Sequence, residues 1–366
     1  MDNSIKSVLS RNVLTVILMV IALGLAYILR QPLKSFPSAV DWDTIFTLSG
    51  LLLITTGIKE SGLFYVVAYR IVSRINNERT LALFFTFLAA ILSMFLTNDI
   101  ALFILIPLTL TLQQIAERDY SKAIFFEAIA VNVGSSLTPI GNPQNIYLWH
   151  QWKVSFFVFV KEMIPLVSIM LFWLIGMIAL CFPSRRIQVN DNHNYSVDQK
   201  LFVICAVLLV GFVLSIELGY GLYFLPFVFL FILLSRKDIF FKCDWGLIFL
   251  FIAIFIDVDL LCHFKFIAHL LNILNFHNIQ TLFLFSALFS QLISNVPSAI
   301  LLAKHSHNYK IIAYGVNIGG NGMLIASFAN LIALRFLKRK ADYFYFHLYS
   351  LPYFAITLIS CLWLLI

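Results

Sequence analysis

Two apolar hairpin sequences, each with an asparagine at its turn, constrain this chain more than anything else in it. The first reads MFLTND-IALFILIP and carries Thr97, Asn98, Asp99 and Pro107; the second reads QLISNV-PSAILLA and carries Ser294, Asn295 and Pro297. Each is followed by an apolar segment interrupted by Asn, Gly and other polar residues, VNVGSSLTPIGNPQNI from Val131 to Ile146 and VNIGGNGMLIASFANL from Val316 to Leu331. Setting Asn132 on Asn317 also sets Gly134 on Gly319 and Asn145 on Asn330. A polar-tipped hairpin and a broken helix, present twice, is how many secondary transporters build a site near the bilayer midplane.

The surrounding composition requires a membrane. Hydrophobic residues are 61% of the chain and charged residues 12%, against roughly 25% charged in a soluble domain. Apolar runs predict full spans near 13–29, 44–58, 123–149, 154–182, 199–216, 221–235, 245–262, 311–334 and 344–366, scattered around the roughly 20 residues that crossing a bilayer takes. Re-entrant hairpins are predicted near 81–112 and 280–303, and an interfacial segment at 61–72. The expected fold is an all-α polytopic membrane protein, one transporter domain over residues 1–366. Internal repeats cover about 42–183 and 244–366, both opening on Asp-Trp (Asp41-Trp42, Asp244-Trp245), with a linker and scaffold spans in 184–243.

The net charge is +7, and its placement sets an orientation. An N-terminus inside puts Arg70, Arg74, Arg79, Arg185, Arg186, Arg236, Lys237, Arg335, Lys338, Arg339 and Lys340 on the cytoplasmic side, as the positive-inside rule asks. The two hairpins then enter from opposite sides, an inverted topology. The polar stretch 183–200 reads as a cytoplasmic linker. Lys6 and Arg11 precede the first apolar run, which is longer than most signal-peptide cores and is followed by many spans, so it reads as a retained span. The expected location is a bacterial inner membrane.

Several function classes fall away. No basic run is long enough to bind nucleic acid. The five cysteines (Cys181, Cys205, Cys243, Cys262, Cys361) are scattered without CxxC and read as small apolar residues. There is no HExxH, Walker or G-x-S-x-G motif, and His263, His269, His277 and His347 flank spans without convergent spacing. His305 and His307 read as solvated loop residues. The chain reads as no enzyme, with no cofactor beyond a coupling ion, H+ or Na+.

The candidate site follows from the cost of polar groups in hydrocarbon. At a hairpin tip, Asn98 and Asn295 could join freed carbonyls to hold a cation such as Na+, while half-helix N-termini suit an anion; capping alone is the simpler alternative. Asp99 could carry a proton or supply charge to a sodium site. Two prolines and a glycine break the span 123–149 at Thr138-Pro139-Ile140-Gly141-Asn142-Pro143-Gln144-Asn145, which predicts that Thr138, Asn142, Gln144 and Asn145 face substrate or ion. The second break is milder, through Gly319, Gly320, Asn321, Gly322, Ser327 and Asn330. Asn132, Gly141, Ser294, Thr97 and Asn317 complete the set. Lys59-Glu60 reads as an interfacial pair, Asp257 and Asp259 as solvated or snorkelling, and Glu127 as an acid one turn into its helix, stabilised by the dipole.

With TND, NxGSxxTPxGNPQN, SNVPSAxLL and NxGGNGxLIxSxANLIAL in order, the chain resembles the ion transporter superfamily. That group includes arsenite permeases, citrate–metal symporters, divalent anion–sodium symporters and a class of sodium–proton antiporters. The resemblance runs from about residue 42 to 366, and the GNPQN form is most similar to short, uncharacterised bacterial anion permeases. It implies an elevator mechanism, a homodimer, and a fixed scaffold beside a moving unit that contains both hairpins. In the carboxylate-carrying branch the tips read Ser-Asn-Thr twice; here Thr97-Asn98-Asp99 and Ser294-Asn295-Val296 keep the Asn and replace the final Thr. An Asp in that place resembles the arsenite branch and favours proton coupling. The functions implied are coupled transport of a small anion or metalloid oxyacid, or Na+/H+ antiport on the same scaffold.

Overall fold

The computed structural model describes residues 2–72, 75, 77–115, 119–186, 197–264, 274, 276–337 and 339–366. The linker residues 187–196, Arg74, Lys338 and His269 lie outside the described residues, as do the side chains of Lys6 and Arg11. The described chain is built of helices, joined by short connections. Five are long and apolar enough to cross a membrane: Glu78–Phe95, Phe156–Cys181, Gln199–Glu217, Trp245–Cys262 and Ala341–Leu364. Asp2–Leu29 and Gly221–Ser235 add apolar helices to these.

Local chemistry sets where the helices start. Asp41 accepts from Thr44 N at the head of Trp42–Glu60, Asn77 from Arg79 N and Thr80 N at the head of Glu78–Phe95, and Asn278 from Thr281 N at the head of Ile279–Ile293. Each satisfies backbone donors that an entering helix leaves open.

Two packed bodies result. Trp42–Glu60 packs against Gln199–Glu217 and Gly221–Ser235, and Asp2–Leu29 against Trp245–Cys262. The other body holds both hairpins, Glu78–Phe95 with Asn98–Ile115 and Ile279–Ile293 with Asn295–Ala303, and both broken segments. The predicted span 123–149 is two helices, Ser121–Ser135 and Pro143–Trp152; the span 311–334 is Tyr309–Gly319 and Phe328–Arg335, with a 3-10 turn at Leu324–Ala326 between them. Pro143 sits at the first turn of its helix behind the Asn142 cap, where it costs no hydrogen bond.

The first hairpin arm lies against the first half-helix of each broken segment at a distance only glycine permits. A Cβ on Gly134 would fall on the Ala90 carbonyl oxygen, and one on Gly319 would lie 2.8 Å from the Ala287 oxygen. Ala90 and Ala287 stand at the same place in their hairpins, eight residues before Asn98 and Asn295. The hairpins differ in size, with arms of 18 and 18 residues in the first and 15 and 9 in the second.

Candidate functional site: two hairpin tips around a paired amide network

The two breaks meet through four asparagines. Asn132 Nδ2 donates to Asn330 Oδ1 at 3.0 Å, and Asn317 Nδ2 donates to Asn145 Oδ1 at 2.8 Å. With Asn132 set on Asn317 and Asn145 on Asn330, these are the same bond made twice. Equivalent secondary bonds follow. Asn145 Nδ2 reaches the carbonyls of Ser135 (3.3 Å) and Thr138 (3.1 Å); Asn330 Nδ2 reaches those of Gly320 (2.9 Å) and Met323 (3.2 Å). Asn142 Nδ2 donates to Asn317 Oδ1 at 3.0 Å, and Ser327 Oγ to Asn132 Oδ1 at 2.9 Å. Asn142 and Ser327 also cap their own half-helices. A helix broken in hydrocarbon must satisfy its carbonyls inside the protein, and these amides do so.

The tips close on the breaks. Asn98 N donates to Gly141 O at 3.1 Å, and Ser294 Oγ to Ala326 O at 3.3 Å; the two acceptors correspond, while the donors stand one position apart. Thr138 Oγ1 donates to Met94 O just before the first tip. The Asn295 amide lies against Gly320, where an added Cβ would sit 3.0 Å from Nδ2. Ser294 holds φ +78° and ψ 157°, a region that glycine normally occupies and that costs a serine about 1–3 kcal/mol. The second arm of each hairpin packs on the second half-helix of the opposite repeat: Asn98–Ile115 on Phe328–Arg335, and Asn295–Ala303 on Pro143–Trp152.

All the predicted site residues therefore come together, and all are buried. Their hydrogen bonding sorts them. Asn132, Thr138, Asn142, Asn145, Asn317, Ser327 and Asn330 are engaged with one another or with backbone, and Gly141 gives its carbonyl to Asn98. Thr97 Oγ1, Asp99 Oδ1, Gln144 Oε1 and Asn321 Oδ1 are buried without a protein partner, although Gln144 Nε2 reaches Asn317 Oδ1 at 3.3 Å and Asn321 Nδ2 reaches Asn317 O at 3.2 Å. Buried polar atoms are almost always bonded, so these four oxygens have acceptor capacity that the described protein groups do not fill. Asn98 Oδ1 accepts from Asp99 N at 3.1 Å. At the second tip, Asn295–Ala303 begins without a side-chain cap, so its N-terminal N–H groups stay available.

One participant carries no signal in its sequence. Gln291, on the first arm of the second hairpin, donates to Gly319 O at 2.5 Å and accepts from Met323 N at 2.6 Å. A single Gln four residues before a hairpin tip is legible only once the break is folded against it.

Two carboxylates are placed otherwise than their sequence context suggests. Asp257 is 6% exposed with both oxygens unpartnered, not solvated, because its helix turns that residue into the protein interior rather than toward the surface. Glu127 is the seventh residue of Ser121–Ser135, fully buried, and accepts from Thr109 Oγ1 at 2.5 Å. It lies too deep for the helix N-terminus to be its main partner, since that effect fades within the first turn.

Polar contacts also cross between the two bodies. Thr47 Oγ1 lies 2.8 Å from His150 Nε2, Lys304 pairs with Asp259 at 2.6 Å, and Lys59 sits over the Phe103 ring. Beside the first of these is a cavity of about 580 Å³, lined among others by Asp43, Thr47, Trp149, His150, Lys153 and Glu217.

Residues 5–310 match the family described as citrate transporter. The chain belongs to the citrate transporter family. It is 41% identical over 338 residues to inner membrane protein YbiR of Escherichia coli, covering 92% of this chain and 91% of that protein. It is 33% identical over 336 residues to an uncharacterized transporter of Methanocaldococcus jannaschii, covering 87% and 88%. A Dictyostelium discoideum transporter bearing the arsB name is 24% identical over 166 residues, 45% of this chain and 29% of that protein. This transporter is a multi-pass membrane protein and not an enzyme.

Proposed function

We propose that this transporter is a secondary active carrier of a small anion or metalloid oxyacid, of the citrate, dicarboxylate or arsenite kind, coupled to H+ or Na+. The observation that carries the reading is the convergence of both hairpin tips on the paired breaks, with four buried oxygens left unpartnered there. Oxygen acceptors suit a cation or the hydroxyls of an oxyacid, and the half-helix N-termini at the site suit negative charge. A bound cation and an anion would then hold each other in place, which is the physical basis of symport.

In this reading the body holding both hairpins moves against the scaffold as an elevator, and the 580 Å³ cavity is the vestibule at the seam. The chain sits in an inner membrane with its N-terminus inside, and pairs with a second copy through the scaffold, whose apolar side chains such as Val207, Val210, Phe227 and Leu230 are exposed. Na+/H+ antiport is a second reading, favoured by the Asp99 carboxylate, whose free oxygen could exchange a proton for a sodium ion.

The test is current from reconstituted protein on a solid-supported membrane, with jumps of citrate, succinate, sulfate and arsenite, each with sodium, with a pH gradient, and with neither. A current specific to one solute and lost in Asn98→Ala supports the anion reading. Currents from sodium or pH jumps alone support antiport. Solute currents that survive both Asn98→Ala and Asn295→Ala would remove the site assignment.

A further inference from the structure

We propose that Glu127 is a proton-binding site of the moving body, distinct from the hairpin-tip site; this rests on reading the chain as an ion-coupled transporter. Glu127 is 0% exposed, on a helix whose described side chains from Ser121 to Ser135 are almost all buried. One carboxyl oxygen accepts from Thr109 Oγ1 and the other has no partner. Burying an unpaired carboxylate in an apolar surround is far more costly than burying the neutral acid. Taking up a proton at Glu127 removes that cost, and its unpartnered oxygen is where the proton would be carried.

Among the described residues, nothing packed around it supplies a compensating charge. On its own helix, Lys122 donates to Cys181 O. Among the packed elements, Arg79 reaches Phe182 O, Arg335 is exposed at its helix end, and Asp342 is held by Arg339. Glu78 lies at the head of its helix; Lys161 and Glu162 are at the start of Phe156–Cys181, whose other end meets Lys122, and Lys310 adjoins Tyr309, which donates to Glu162. Tyr349 packs on the Phe125 and Phe126 rings, and Tyr353 donates to Met170 O. Asp99, ten residues before Thr109 on the same arm, belongs to the tip site.

The position couples the proton to the machinery. Thr109 is on the second arm of the first hairpin, and Glu127 is on the half-helix that ends in the amide network. Glu127 lies about 9 Å along its helix from Ser121 and about 7.5 Å from Asn132, at 1.5 Å per residue. Gaining or losing the proton changes the Thr109–Glu127 bond that ties that arm to that half-helix, so it alters how the hairpin sits on the break.

The decisive experiment compares wild type, Glu127→Gln and Thr109→Val in proteoliposomes. It uses whichever of citrate, succinate, sulfate, arsenite or sodium gives wild-type flux. Gln keeps the shape and the bond from Thr109 but binds no proton. Expected for Glu127→Gln are solute exchange at equal pH within about threefold of wild type, fewer protons moved per solute by a pH-sensitive dye, and a flattened pH profile of uptake. Thr109→Val is expected to keep the proton ratio and displace the pH profile, which serves if the Gln variant fails to fold. An unchanged proton ratio and pH profile in Glu127→Gln, or an unchanged profile in Thr109→Val where Gln is lost, overturns the assignment of Glu127 alone. Absence of any solute- or sodium-driven flux in wild type would overturn the proposed anion or sodium carrier reading, and the Glu127 assignment with it.

Discussion

The amide network and the hairpin tips lie side by side and are built on opposite terms. In the network each bond appears twice under the same residue correspondence, Asn132 with Asn330 and Asn317 with Asn145, and almost every donor is satisfied. At the tips the correspondence fails: Asp99 stands where the second repeat has Val296, Thr97 where it has Ser294, and oxygens are left open. A satisfied, duplicated network holds two broken helices together; an unsatisfied, unduplicated rim is free to bind. The difference separates polar residues whose bonds are already filled from those with oxygens left open, which on the proposed reading face the transported solute or ion, a distinction that burial does not draw, since both sets are buried.

The largest expected effect is on transport at the tips. Asn98→Ala or Asn295→Ala should abolish flux in proteoliposomes while the melting temperature in detergent stays within a few degrees of wild type. If both lose folded protein instead, the tips are structural like the network and the contrast disappears. Next comes the network itself. Asn317→Ala removes the partner of Asn142, Gln144 and Asn145 at once, and each buried group left open costs about 1–3 kcal/mol. Thermal melts and folded yield should both fall sharply, with Asn132→Ala behaving alike because it holds the equivalent place.

Asp99→Asn sharpens the comparison further. It removes a carboxylate whose Oδ1 is unpartnered, so stability should hold or rise by about 1 kcal/mol, while ion-coupled accumulation is lost; calorimetry and a gradient-driven uptake assay read the two separately. Gln144→Leu should lower flux several-fold with a stability change under about 1.5 kcal/mol, because only one bond, at 3.3 Å, ties it to the network. The smallest effect is expected at the seam. Lys304→Ala breaks a part-exposed pair with Asp259, a type of contact that contributes about 0–1 kcal/mol, so equilibrium melts should barely move.

Much of this was legible before folding. Composition alone places the chain in a membrane, Pro139, Gly141 and Pro143 force a break in 123–149, and the spacing of Asn132, Gly134 and Asn145 against Asn317, Gly319 and Asn330 identifies which positions correspond. These follow from local rules: hydrocarbon excludes unpaired polar groups, proline cannot continue a helix, and glycine allows close backbone approach. What the sequence could not assign was the partner of each amide. Thr138, Asn142, Gln144 and Asn145 are one short string, yet Thr138 bonds Met94 of its own hairpin while the other three meet Asn317 and Gln144 keeps its oxygen open; the approach of the other repeat, roughly 170 residues or more away in sequence, decides which acceptors are already taken. Tertiary structure likewise decided that Glu127 meets Thr109, that Gln291 bridges the second break, and that Asp257 turns inward, since the direction of a side chain on an apolar helix is set by what packs around it, and nearly every neighbour in such a helix is apolar too.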